Sequence, residues 1–170
     1  MIGGIYMKWL ILTVFYFLYW FICFLCTGTD QKNLAGLRSY PDDVQTIVRS
    51  NTKLKDKAPA AKSVPSILLG NFILFTVVFS ALGILCRPLL QLGSYRDSFL
   101  YFLILGEGLG VFDLLIIDLL WWRNTKRIRF SFLPEQKYYQ NPDKHIQSFL
   151  RGIPLFAVIA AAAAGIVTVL

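Results

Sequence analysis

Charged residues are scarce in this sequence, and acidic ones are the scarcest. Only 16% of the 170 residues are charged, with 10 Asp and Glu against 17 Lys and Arg. Soluble domains carry about 25% charged residues, whereas 56% of this chain is apolar and its mean hydropathy is +0.57. The composition excludes an ordinary soluble domain and predicts an integral membrane protein.

Cysteine and histidine are also rare, with three and one residues. Cys23 and Cys26 fall inside one apolar run and Cys86 ends another, so they predict neither a disulfide framework nor a zinc site. Phosphate-binding loops and hydrolase signatures are absent as well. We therefore predict no cofactor and no protein-bound metal.

Long apolar runs dominate what is present. They cover residues 9–26, 66–86, 98–122 and 153–170, and none has the alternating pattern of a barrel strand. Only helices and closed barrels satisfy their backbone groups in lipid. We predict one all-α transmembrane domain over residues 1–170, an integral membrane four-helix bundle with short interfacial helices in loops 27–65 and 123–152.

Basic residues are concentrated in two of the three connections. Seven Lys and Arg lie between the first and second spans and seven, with Arg151, between the third and fourth, against two between the second and third. The positive-inside rule therefore predicts that both basic loops are cytoplasmic and that both termini lie outside a cell inner membrane. The loops are expected to attract anionic lipid headgroups, and we predict no nucleic-acid partner.

Two segments of the basic loops have local patterns. In YPDDVQTIVRS, Pro41 suits the first position of a short helix whose apolar stripe (Val44, Ile47 and Val48) would lie against the membrane surface or the bundle. Residues 126–133 alternate between apolar and polar side chains, which is strand-like.

The fourth apolar run is preceded by a helix start. Asn141 and Pro142 begin a short interfacial helix, which Gly152 would end before Pro154 opens the fourth span. That span has one face of small residues, which predicts burial in the bundle or self-association with a second copy or a membrane partner: Ala157, Ala160, Ala161, Ala164, Gly165 and Thr168.

Three carboxylates inside the third span are the main functional indication. Ionisable residues at membrane depth usually face a protein interior or a water-filled path. In an α-helix, Glu107 and Asp118 would lie within ~20° of each other, with Asp113 ~120–140° away. Polar residues of the second span, among them Asn71, fall at matching depths, so we predict an intramembrane polar site of Glu107, Asp113, Asp118 and Asn71.

Several segments resemble a pattern found in small uncharacterised four-span bacterial membrane proteins. They are GLRSYPDDVQ, FDLLIIDLLWW and the basic segment from FLPEQKYY to HIQSFLRGIP, and with the sequence around them the resemblance covers about half of the chain. The resemblance implies a bacterial membrane location and no particular chemistry.

Three functions are compatible with these residues. The first is a small transport or conduction protein, or a subunit of one, that uses Glu107 and Asp113. The second is a membrane enzyme acting on a lipid or isoprenoid at the cytoplasmic face, with an interfacial site of Asp118, His145, Arg127 and Arg129. The third is a scaffold subunit without catalytic activity. His145 itself is expected at the surface.

Overall fold

The computed structural model describes the backbone of residues 2–170 and the side chains from Ile5 onwards. Within that part the chain is helical and has no β-strand, so the predicted all-α fold is confirmed. Four helical segments are long and apolar enough to cross a membrane: Ile5–Leu25, Val64–Leu85, Tyr95–Trp122 and Gln136–Val169. The protein is therefore a membrane protein with four candidate spans.

The described part of the chain contains seven α-helices. In chain order they are α1 (Ile2–Leu25), α2 (Asp30–Ala35), α3 (Asp42–Ser50), α4 (Val64–Leu85), α5 (Arg87–Leu90), α6 (Tyr95–Phe112) and α7 (Asp143–Val169). A π-helix, Asp113–Trp122, continues α6 without interruption, and single 3-10 turns occupy Leu37–Ser39, Lys55–Lys57 and Gln136–Tyr139.

The predicted break before the fourth span is wrong, because α7 continues through Gly152 and Pro154. Proline has no N–H and therefore removes one hydrogen bond from a helix. In membrane helices this loss is tolerated, since neighbouring groups satisfy the freed carbonyl and lipid offers the backbone no alternative partner. The predicted interfacial helix and the fourth span are thus parts of one continuous α-helix.

The chain groups into two compact units, of which the first comprises residues 1–17, 62–111 and 150–170. Its core contains stacked aromatic rings: the ring centroid of Phe79 lies 5.8 Å from that of Phe102 and 6.3 Å from that of Phe156. A glycine of α6 permits close packing in this unit. A Cβ at Gly106 would lie 2.8 Å from the Phe156 ring.

The small-residue face of α7 is only partly used in this unit. Ala160 and Ala164 are fully buried, together with Phe156, Ile159 and Val167. Gly165 has open space where a Cβ would be, Ala157 and Ala161 are half-buried, and Thr168 is exposed. Packing in this unit therefore uses Ala160 and Ala164 of the small-residue face, and self-association through the other small residues stays a prediction.

The second unit, residues 18–61 and 112–149, has a core of its own that is built largely from the two basic loops. Tyr40 lies at its centre, where its ring contacts Trp122 at 4.8 Å and its hydroxyl donates a 2.7 Å hydrogen bond to the Ile128 carbonyl. Burial raises the pKa of Tyr40, so the phenol stays protonated and donates. The fully buried Val44 and Val48 of α3 complete the core. The α3 stripe therefore packs on loop residues and on the end of the third span.

The predicted strand at residues 126–133 is wrong. Only an isolated antiparallel bridge joins Phe130 to Leu133, and turns occupy the rest. The alternation has another origin, because Ile128 and Phe130 are buried in the core of the second unit while Phe132 is 37% exposed.

Candidate functional site

The candidate site begins with the π-helix at the end of the third span. In a π-helix each N–H bonds to the carbonyl five residues earlier, and such segments often occur at functional sites. The N–H of Arg123 donates in this way to the Asp118 carbonyl at 3.4 Å. With about 4.4 residues per turn, residues five apart differ by about 50° in direction instead of about 140°.

This geometry brings Asp113 and Asp118 to neighbouring positions on the helix surface. Their carboxyl groups are close enough to interact electrostatically. The prediction that Asp113 points away from Asp118 is therefore wrong, because it assumed α-helical spacing throughout the span.

Asp118 is paired with the only histidine of the chain. Its Oδ2 lies 2.9 Å from His145 Nδ1, and the side chains of His145 and Asp118 are 6% and 14% exposed. His145 is in the first turn of α7, and its ring packs against Trp122 with centroids 4.9 Å apart. The expectation of a surface histidine is thus wrong: the continuation of α7 towards its N-terminus carries His145 into the second unit.

The imidazole is held in one orientation by this contact. A hydrogen bond from Nδ1–H to a carboxylate fixes the tautomer and leaves Nε2 as the free ring nitrogen. His145 Nε2 is buried and has no hydrogen-bond partner among the described residues. Such an unpaired polar atom is costly in a protein interior, and it is the atom that would exchange a proton with a bound group.

Two side chains of α1 extend the cluster on the other side. Tyr19 is a hydrogen-bonding neighbour of Asp113, and its hydroxyl also interacts with the Cys23 thiol one helical turn away. The cluster therefore runs across three helices from Cys23 and Tyr19 through Asp113 and Asp118 to His145. Tyr19 was missed from sequence, although its i, i+4 spacing to Cys23 in an uncharged run was a signal.

Glu107 and Asn71 belong to the first unit, whereas Asp113 and Asp118 belong to the second. Among the described residues, Glu107 makes no hydrogen bond or ion pair, and it is half-buried on the side of α6 opposite the buried Leu105 and Leu109. Asn71 is half-buried as well. A single site formed by all four residues therefore stays a prediction.

The arginines of the predicted interfacial site have structural contacts. The Arg127 guanidinium donates to the carbonyls of Phe24 and Thr27 at 3.2 and 3.0 Å and lies 3.9 Å from the Phe24 ring centroid. Arg129 donates to the Pro134 carbonyl at 3.3 Å. Arg127 thus satisfies carbonyls at the C-terminus of α1, where a cation also complements the helix dipole.

Replacing Arg127 by glutamine should lower stability without abolishing function. Two hydrogen bonds, a cation–π contact and a favourable dipole interaction are lost together, so we expect a decrease of about 1–2 kcal/mol in the free energy of unfolding. Thermal unfolding in detergent would measure it, with Arg38→Gln as the exposed control. An unchanged midpoint combined with lost activity would instead assign Arg127 to the functional site.

Within the described part of the chain, no three Asp, Glu, His or Cys side chains converge as a metal-ligand set. The cluster is instead a contiguous row of groups that can each bind or release a proton. Comparison with family models, with curated proteins and with solved structures gives no match, so the function must be inferred from this geometry.

Proposed function

We propose that the protein is a small transport or conduction protein of the cell inner membrane, in which Tyr19, Asp113, Asp118 and His145 form a proton relay. The observation that carries the proposal is the contiguity of the cluster: Asp118 contacts His145 at 2.9 Å and interacts with Asp113, which neighbours Tyr19. Rows of Asp, Glu and His within membrane helices are typical of proton-coupled pumps and transporters.

The proton path follows from the orientation of the imidazole. A proton arriving at His145 Nε2 gives an imidazolium, which can release its Nδ1 proton to the Asp118 carboxylate. Asp118, now a carboxylic acid, can then pass its proton to the neighbouring carboxylate of Asp113. The net change is one proton taken up at His145 Nε2 and one delivered towards the interior of the span. The imidazole is left neutral with its proton on Nε2, so a tautomer exchange must restore the Nδ1–H form before the next transfer.

The orientation of the protein is part of the proposal. Both basic loops are placed at the cytoplasmic face by their charge, which puts His145 near that face and both termini outside. Protons would therefore enter or leave the relay from the cytoplasm. The half-exposed Glu107 on α6 is proposed as a second proton-binding position within the span.

Proton flux into liposomes tests the proposal. We would reconstitute the full chain with a pH-sensitive dye trapped inside, impose a potassium diffusion potential and record acidification. His145→Gln and Asp113→Asn should each lower the flux roughly a hundredfold, the magnitude typical of a lost proton-transfer group. Asp56→Asn, an exposed carboxylate in the first loop, is the matched control and should leave it unchanged.

Flux through the wild-type protein that equals flux through empty liposomes would contradict the proposal. Flux that persists in both His145→Gln and Asp113→Asn would contradict the relay. The assay therefore separates a conducting protein from a scaffold subunit.

One observation favours an enzyme as the second candidate. A carboxylate that orients a histidine and leaves Nε2 free is the arrangement of a general base. Such a protein would act on a lipid or isoprenoid at the cytoplasmic face, through Asp118 and His145 without Arg127. Turnover of membrane lipid that ceases in His145→Gln, with no proton flux, would select this candidate.

A further inference from the structure

The first unit has a pocket of about 240 Å³ near the beginning of α1 and α6. Eight residues line it, four from each helix: Ile5, Lys8, Trp9 and Leu12 of α1, and Asp97, Leu100, Tyr101 and Ile104 of α6. None of them belongs to the proton relay. The pocket is thus a separate feature, with three polar side chains among apolar ones.

The polar and apolar groups are separated along the membrane normal. Lys8 and Asp97 lie near the first turns of the two spans, beside Trp9, a residue type that prefers the membrane interface. Ile104 is seven residues further along α6 than Asp97, about 10 Å deeper, and Leu12 is one turn deeper than Lys8. A ligand that matches charged groups at the mouth of the pocket and apolar groups deeper in it has a charged headgroup and an apolar tail.

Tyr101 supplies an independent indication of a ligand. Its side chain is only 5% exposed, yet its hydroxyl has no hydrogen-bond partner among the described residues. Leaving such a buried donor unpaired costs about 1–3 kcal/mol. An acceptor oxygen brought in by a ligand would satisfy it.

Lys8 and Asp97 provide opposite charges at the mouth of the pocket. Lys8 forms no ion pair among the described residues, and it is half-buried. Asp97 Oδ2 accepts a 2.8 Å hydrogen bond from the Ser94 hydroxyl, and Oδ1 is left for another donor. An ammonium is therefore available for an anion, and a carboxylate for a cation that carries N–H groups.

We propose that this pocket binds a phospholipid with a phosphoethanolamine headgroup. The Lys8 ammonium binds the phosphate, the Asp97 carboxylate accepts hydrogen bonds from the primary ammonium of the lipid, and the Tyr101 hydroxyl donates to an ester carbonyl. One acyl chain lies against Leu12 and Ile104. A choline headgroup lacks N–H donors for Asp97, and a glycerol headgroup lacks the positive charge.

Native mass spectrometry of the full-length protein in detergent would test this. Titration with phosphatidylethanolamine, phosphatidylcholine and phosphatidylglycerol of equal chain length should give binding roughly tenfold tighter or more for the ethanolamine lipid. Asp97→Asn should remove most of that preference. Lys8→Gln and Tyr101→Phe should each weaken binding of all three lipids roughly tenfold, because the phosphate and the ester carbonyl are common to them. Lys62→Gln and Tyr6→Phe, which change the same residue types outside the pocket, should retain both the affinity and the preference.

Water-soluble glycerophosphoethanolamine distinguishes a lipid site from a headgroup site, and it should bind at least about a hundredfold more weakly because it buries no acyl chain. Equal binding of all three lipids would overturn the proposal. So would unchanged affinity for the ethanolamine lipid in both Lys8→Gln and Tyr101→Phe, or binding of the soluble headgroup as tight as that of the lipid. Because Asp97 also supports the first turn of α6, thermal unfolding checks that Asp97→Asn folds, and Tyr101→Phe is the decisive variant for the affinity.

Discussion

Replacing Phe130 by alanine should unfold the core of the second unit, with a loss of about 3–5 kcal/mol in the free energy of unfolding. Phe130 is fully buried, and its ring lies 5.3 Å from that of Tyr40. Its backbone N–H also donates to the Tyr139 hydroxyl at 3.1 Å. A cavity at this position would therefore disturb both the packing and the hydrogen bonds that join the two basic loops.

Phe132 is the matched control for this experiment, because it is the same residue type two positions away and is 37% exposed. Phe132→Ala should change stability by less than about 1 kcal/mol. Limited proteolysis would locate the change, since cleavage of Phe130→Ala should accelerate within residues 27–61 and 123–142 before the spans are cut. Equal effects of the two substitutions would show that the loops have no common core.

Removing one partner of the Asp118–His145 pair is expected to have the second large effect. Asp118→Leu leaves the buried Nδ1 of His145 without its acceptor, which should lower the free energy of unfolding by about 1–3 kcal/mol. The double variant Asp118→Leu with His145→Leu replaces both polar groups by apolar ones and should recover most of that loss. Proton flux should be lost in both variants.

A double-mutant cycle on thermal unfolding in detergent gives the coupling energy of this pair. The exposed pair of Glu135 and Lys137, whose charged atoms are 2.6 Å apart, is the control. Exposed ion pairs are screened by water, so Glu135→Gln should leave the midpoint unchanged. Additive losses in Asp118→Leu and His145→Leu would mean that the two side chains do not interact in the folded protein.

The spans were predictable from sequence because a helix must carry an apolar run long enough to cross the hydrocarbon, and no other feature enters that argument. The continuation of α7 through Pro154 could not be predicted from sequence, because the rules for helix ends derive from helices whose freed backbone groups are exposed to water. The apolar stripe on α3 could also be predicted from sequence. The residues that it packs against could not, because the core of the second unit joins distant segments, such as Tyr40 and Ile128, which are 88 residues apart in the chain.

The candidate site was predicted in composition and mispredicted in geometry. Asp113 and Asp118 stood out as carboxylates in an apolar run, and one alternative grouped Asp118 with His145. Their angular relation depends on whether residues 113–122 bond to the fourth or the fifth preceding carbonyl. The difference between these two patterns is decided by packing, and no residue type in DLLIIDLLWW signals it.

The π-helix has a further consequence, for the fit of the third span to the bilayer. A π-helix rises about 1.2 Å per residue, against about 1.5 Å in an α-helix. Its 10 residues therefore extend about 12 Å instead of about 15 Å. The third span is shortened by about 3 Å, which brings its length closer to that of α4 and lowers the tilt or bilayer thickening that hydrophobic mismatch would demand.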